Sequence, residues 1–269
     1  MFNRGVIFAF LLFLGHASAD DLIDFPSDNS FLPKSWIAAP IQANVEPLNE
    51  ELKADAERIV RKAIAKYPIR LREEFLNGVS IVGSLRFYDV GYGGTYMSNG
   101  KRIVLVYRAK FDDRGFEQRF HHEFSSILLK QNEPLFEKSR WTSSNPDGFT
   151  YRATGVIEEK NGDRSEATRV LAEEQKKTGG SGSGLLRLNG DLMKQGFLTL
   201  YNRVSIEQDF NETAAHLFTN PTIWKYCAEF PRIDQKVDVL VDFYRELDPE
   251  MDRLYFRNLT KPDPVKPTP

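Results

Sequence analysis

The 269-residue chain sets 36 lysines and arginines against 38 aspartates and glutamates, a formal charge of −2. That balance gives no basic field for nucleic acid and no polybasic membrane patch. A hydrophobic content of 41%, with 12% aromatic residues, is ample for one packed core, and the single cysteine, Cys227, excludes an internal disulfide.

Residues 1–19 read as a secretory signal peptide. Arg4 gives a positive start, residues 5–15 form a short apolar run, and Ala17-Ser18-Ala19 offers a small-x-small cleavage site before Asp20. No later stretch approaches the roughly 18 apolar residues of a membrane span. The expectation is an exported protein, periplasmic or secreted, with no transmembrane segment after cleavage.

Residues 20–48 hold Pro26, Pro33, Pro40 and Pro47 with scattered apolar side chains, the composition of an extended N-terminal arm. A single domain is expected over 49–259, and 260–269 form a lysine- and proline-rich tail. In the domain a helix spans 49–66, with Leu52, Ala56, Ile59, Val60, Ala63 and Ile64 at helical spacing, and Pro68 stops it. A turn through Leu71, Phe75 and Leu76 follows. The period then changes to that of strands over 79–88 and 102–107. Between them Gly91, Gly93 and Gly94, with Asn99-Gly100, predict a strand and hairpin. These glycines serve either as turns or as an exposed edge strand able to pair with an extended peptide.

A helix over 116–130 follows. Phe116, Phe120, Phe124, Ile127 and Leu128 form its apolar stripe, and His122 projects roughly opposite, with Ser126 one turn further on. A His-Glu pair turned away from the stripe, here His122-Glu123, is how HExxH peptidases present a zinc ligand and a general base. It is also how many amphipathic helices present a solvated face. The second histidine of that motif would stand at position 126, which is Ser126. Beyond it, residues 132–164 are irregular up to a hairpin near Asn161-Gly162. A short helix over 165–177 leads into the flexible loop Gly179-Gly180-Ser181-Gly182-Ser183-Gly184.

In the helix over 206–218, Phe210, Ala214, Leu217 and Phe218 form the apolar stripe. Asp209, Glu212 and His216 fall at i, i+3 and i+7 on the other side. Two helices that each present histidine and carboxylate can close on one metal or one proton-transfer site.

His122-Glu123 on a helix, then Phe197-Leu198-Thr199-Leu200-Tyr201, then Asp209-Phe210-Asn211-Glu212 on a second helix resemble the gluzincin metallopeptidases. The likeness is greatest to zinc-binding metallopeptidases and to lethal-factor-type catalytic domains. It implies an α+β, zincin-like domain: a mixed sheet, an active-site helix and a mostly helical second half. It further implies a zinc cofactor with His122 as first ligand, and Asp209 or Glu212 as third. Glu123 would be the general base, Tyr201 the oxyanion donor, and the hairpin around Gly93-Gly94-Thr95 the substrate edge strand. The departure is Ser126, a degenerate HExxH; His216 or His121 would have to replace the missing ligand, and His216 shares a face with Asp209 and Glu212. The implied function is zinc-dependent hydrolysis of a peptide or protein substrate by metal-activated water. The competing reading is a non-catalytic peptidase-fold protein that binds peptide or cell-envelope material. A metal-free hydrolase using Ser125 or Ser126 lacks a nucleophile elbow.

Overall fold

The structure is a computed structural model and describes residues 22–109, 112–152, 172–173, 176–177 and 184–260. The signal-peptide stretch, the hairpin near Asn161, most of the helix over 165–177, residues 179–183 of the glycine-serine loop and residues 261–269 of the tail lie outside these.

Among the described residues seven strands form two sheets. Strands β1 (Ile23–Asp24), β3 (Gly78–Val82), β6 (Gly94–Met97) and β7 (Arg102–Val106) form a mixed sheet in the order β1-β3-β7-β6. The first three run parallel, and β6 is antiparallel to β7. β3 is buried along its whole length, as a strand with parallel neighbours on both sides must be. Strands β2 (Asn44–Glu46), β4 (Ser84–Phe87) and β5 (Val90–Gly91) make a small antiparallel sheet.

The segment expected as an extended arm is thus built into both sheets through β1 and β2. Its Leu32, Ile41, Ala43 and Val45 bury against Val82, Leu85, Phe87, Val104 and Val106. Helix α1 (Lys34–Ile37) sets Trp36 edge-on to Phe87, with ring centroids 5.4 Å apart.

Helix α2 (Glu50–Ala65) buries Ala56, Ile59, Val60, Ala63 and Ile64, the stripe read from the sequence. The turn expected after Pro68 is a short helix, α3 (Ile69–Phe75). Proline just outside a first turn removes no hydrogen bond, and Leu71 and Phe75 at i and i+4 bury together.

Helix α4 (Asp113–Gln131) begins before Phe116 because Asp112 caps it, its carboxylate accepting from Gly115 N. The second half is helical: α5 (Lys138–Ser143), α6 (Gly190–Lys194), α7 (Ile206–Thr219), α8 (Ile223–Glu229), α9 (Pro231–Leu247) and α10 (Arg253–Leu259). The main core gathers the apolar faces of α2, α4, α7 and α9 against β3 and β7. The polar side of α4, readable from sequence as a solvated face, is instead covered by α7. Ser125, Ser126 and His121 are all buried.

Candidate functional site

Helices α4 and α7 face each other through a ladder of polar contacts that runs in opposite directions along the two chains. Gln118 Nε2 lies 3.3 Å from His216 Nδ1, His122 Nδ1 lies 3.1 Å from Glu212 Oε1, and Asn211 Nδ2 donates to Ser126 Oγ at 2.6 Å. The first two pairs are one turn apart on each helix, and the third lies one turn further along α4 but only one residue further along α7. Ser205 starts α7 by accepting from Gln208 N. Just before it, the turn Tyr201–Arg203 carries the Tyr201 ring to 6.1 Å from His122, nearly parallel to it.

Strand β6 closes the other side of the site. A Cβ on Gly94 would lie 3.0 Å from both Glu123 Oε1 and Val104 O, so any larger residue would have to push the carboxylate or the strand aside by a few tenths of an ångström. Two residues along, Tyr96 OH donates to Glu207 Oε1 at 2.7 Å. Gly93 lies against the Arg119 guanidinium. Hence Glu123, Glu207 and Glu212 surround His122, with Arg119 as a second cation.

Burial dominates the ionisation of this group. It pushes the Glu123 carboxyl up to about 7, assisted by repulsion from Glu207 and Glu212 and opposed by His122 and Arg119. Burial also raises Glu207, and the Tyr96 hydrogen bond only partly offsets it. For His122, burial acts downward, but the Glu212 hydrogen bond and the three nearby carboxylates outweigh it and its pKa rises.

The structure brings together His122, Glu123, Glu212 and Tyr201. It does not bring Asp209 to them. Asp209 is fully buried nearer the start of α7, where Oδ2 accepts from Lys236 Nζ at 2.5 Å, Tyr151 OH at 2.6 Å and Trp141 Nε1 at 3.0 Å. Its Oδ1 accepts from Asn202 Nδ2 at 2.8 Å. The physical reason is axial: Asp209 and His216 project only about 20° apart around the helix but stand about two turns apart along it, so Asp209 meets Lys236 of α9 while His216 meets Gln118 of α4. His216 sits one turn beyond Glu212, with its Nδ1 against the side-chain amides of Gln118 and Asn220, each at 3.3 Å. His121 belongs to a separate network, 3.0 Å from Tyr67 OH and stacked on Phe218.

A zinc site takes three protein ligands at least. Among the described residues no group of three or more histidines, cysteines, aspartates or glutamates is placed to hold a metal. His122 and Glu212 supply two donors. Ser126, a poor zinc ligand, engages Asn211, and the oxygens of Asp209 are taken by Lys236, Tyr151, Trp141 and Asn202. The donor set therefore does not fit zinc.

Two residues of consequence escaped the sequence reading. Lys236 lies within the apolar stripe of α9, three residues after Ile233 and four before Leu240, and a lone lysine in that register signals a buried carboxylate partner. Glu207 left no such signal, since a glutamate in the first turn of a helix is ordinary.

No family model matches this chain, and no curated protein matches it. A search of solved structures finds a protein from Bacteroides caccae described as a "putative zinc-binding metallo-peptidase". The two share 17% identity over 75% of this chain and 73% of that one, with a TM-score of 0.44. A likeness at this level assigns neither a fold family nor an activity.

Proposed function

We propose that this protein is a peptidase-like scaffold that binds an extended peptide along β6 without a metal. The observation that carries this reading is the outer edge of β6. Val106 N donates to Gly93 O, and Gly94, Thr95, Tyr96 and Met97 stand opposite Leu105, Val104, Ile103 and Arg102. Antiparallel pairs alternate between hydrogen-bonded and open. The backbone groups of Thr95 and Met97 therefore turn toward β7, and those of Gly94 and Tyr96 turn outward. Among the described residues no strand pairs with that outer side. An extended chain adding there makes main-chain hydrogen bonds, and its alternate side chains face Glu123 and Glu207.

Zinc-dependent hydrolysis is the second reading. Glu123, pushed up to about 7, is suited to a general base, and His122 touches Glu212. That reading needs a third ligand, which these residues do not bring together. Export belongs to the proposal too, with a mature chain beginning at Asp20.

The deciding experiment loads the purified protein with zinc, removes the excess by dialysis and measures bound metal. Under the favoured reading wild type holds well below one zinc per chain, and Ser126→His, which restores the second imidazole, holds more. One tightly held zinc in wild type, lost in His122→Ala, would overturn it in favour of the hydrolase.

A further inference from the structure

Three carboxyls, Glu123, Glu207 and Glu212, share the site with His122 and Arg119, and one oxygen among them is bare. Glu207 is 2% exposed, yet its Oε2 has no hydrogen-bond partner among the described residues. Tyr96 OH donates to Oε1, and Ser126 also lies close enough to favour the carboxylate. Leaving a buried carboxylate oxygen without a donor costs its desolvation with no compensating hydrogen bond. Asn211 Oδ1, next to the amide group that holds Ser126, is a second buried acceptor without a partner. Around them stand Glu123 and Glu212, while His122 and Arg119 supply the positive charge.

We infer that the peptide paired with β6 carries a basic group, an ammonium or a guanidinium, that enters among Glu123, Glu207 and Glu212. The inference rests on the peptide-binding reading and names what the site selects. Three arguments support it. Unpaired acceptors require donors, and ammonium and guanidinium groups are donors only, with three and five N–H groups. Charge-assisted hydrogen bonds to carboxylates are the strong ones, so a cation gains where a neutral amide gains little and a carboxylate is repelled. The distance is also short. Gly94 and Tyr96 both turn toward α4, Gly94 packing against Glu123 and Tyr96 donating to Glu207. An added strand lies about 4.8 Å from β6, and the stem of a lysine or arginine covers that distance. His122 and Glu212, with side chains 12% and 11% exposed, mark where the cluster meets the surface.

The test is a binding series on the full chain, using N-acetylated, C-amidated nonapeptides of valine, threonine and serine with one central residue varied. Lysine and arginine peptides should bind at least tenfold tighter than the norleucine peptide, and the glutamate peptide weakest. Glu207→Gln and, separately, Glu123→Gln should each reduce the preference for lysine over norleucine, in protein whose circular dichroism matches wild type. A norleucine peptide with a free amino terminus distinguishes the source of the cation, since its binding like the lysine peptide places a terminal ammonium in the site. Equal binding of all the peptides would overturn the inference and leave edge-strand binding standing. Failure of every peptide to bind would overturn both. If wild type prefers lysine but both variants keep the full preference, the cation sits elsewhere and the inference fails.

Discussion

His122 Nδ1 stands 3.1 Å from Glu212 Oε1, joining α4 to α7 through an imidazole and a carboxylate with little exposure to water. Breaking such a pair from one side leaves the other group buried and unpaired. His122→Ala and Glu212→Ala should each destabilise the fold by about 1–3 kcal/mol, less than for a fully dry pair because both side chains reach solvent. The double variant should lose less than the sum of the two. Urea denaturation of the four proteins measures the coupling, and strict additivity would show that the contact contributes nothing.

The Asp209–Lys236 pair is drier still. Both residues are fully buried, and the Lys236 ammonium also lies 4.0 Å from the centroid of the Phe197 ring. Lys236→Met should cost about 3–5 kcal/mol, because it leaves a carboxylate without its cation in the interior. Adding Asp209→Asn should recover part of that loss. Guanidinium midpoints report both effects, and a Lys236→Met protein as stable as wild type would contradict the burial of the pair.

Glu117 gives a pH dependence with a definite sign. Burial alone would raise its carboxyl, but His121 and the Lys66 ammonium, 2.6 Å away, more than offset that and hold it near 2. A depressed carboxylate contributes stability that is fully present above its unfolded value of about 4.5 and is lost as pH falls toward 2. The loss should be roughly 3 kcal/mol and absent in Glu117→Gln. The adjacent His121, kept neutral by burial down to about 4, adds a loss that begins higher, as pH falls through the ordinary histidine range. Thermal melts from pH 7 to pH 2.5 separate the two limbs, since only the lower one should vanish in Glu117→Gln.

Amide exchange reads the β6 edge directly. Thr95 and Met97 amides should exchange slowly, and those of Gly94 and Tyr96 quickly in the free protein. A bound lysine peptide should slow the second pair and leave the first unchanged. Equal protection of all of these amides in the free protein would mean that the outer edge is already covered.

The long elements were legible because each carries one period. Phe116, Phe120, Phe124, Ile127 and Leu128 mark α4, and all are fully buried in the structure. The stripe of α7 was equally plain. What the pattern lacks is the identity of the neighbour on each remaining side. His121 and His122 are consecutive, yet one packs on Phe218 and Tyr67 while the other meets Glu212, a division made along α7, which supplies both Phe218 and Glu212. Asp209 failed for the same reason, because the same side of a helix in projection divided between α9 and α4. Glu207 was beyond reach, since its importance comes from Tyr96, 111 residues earlier in the chain.

The segment of residues 22–46 contributes a strand to each sheet, and that carries a consequence for the fate of the protein after synthesis. β1 covers the outer side of β3, and β2 covers the outer side of β4. Proteolytic clipping near residue 48 would uncover Gly78–Val82, an uncharged strand with Val79, Ile81 and Val82 among its five residues, together with Ser84–Phe87. Bare strands of that composition pair with other chains as readily as with their own. One cut far from His122 would thus expose strands that seed self-association, and that hazard, more than any effect on the site, constrains where the chain tolerates cleavage.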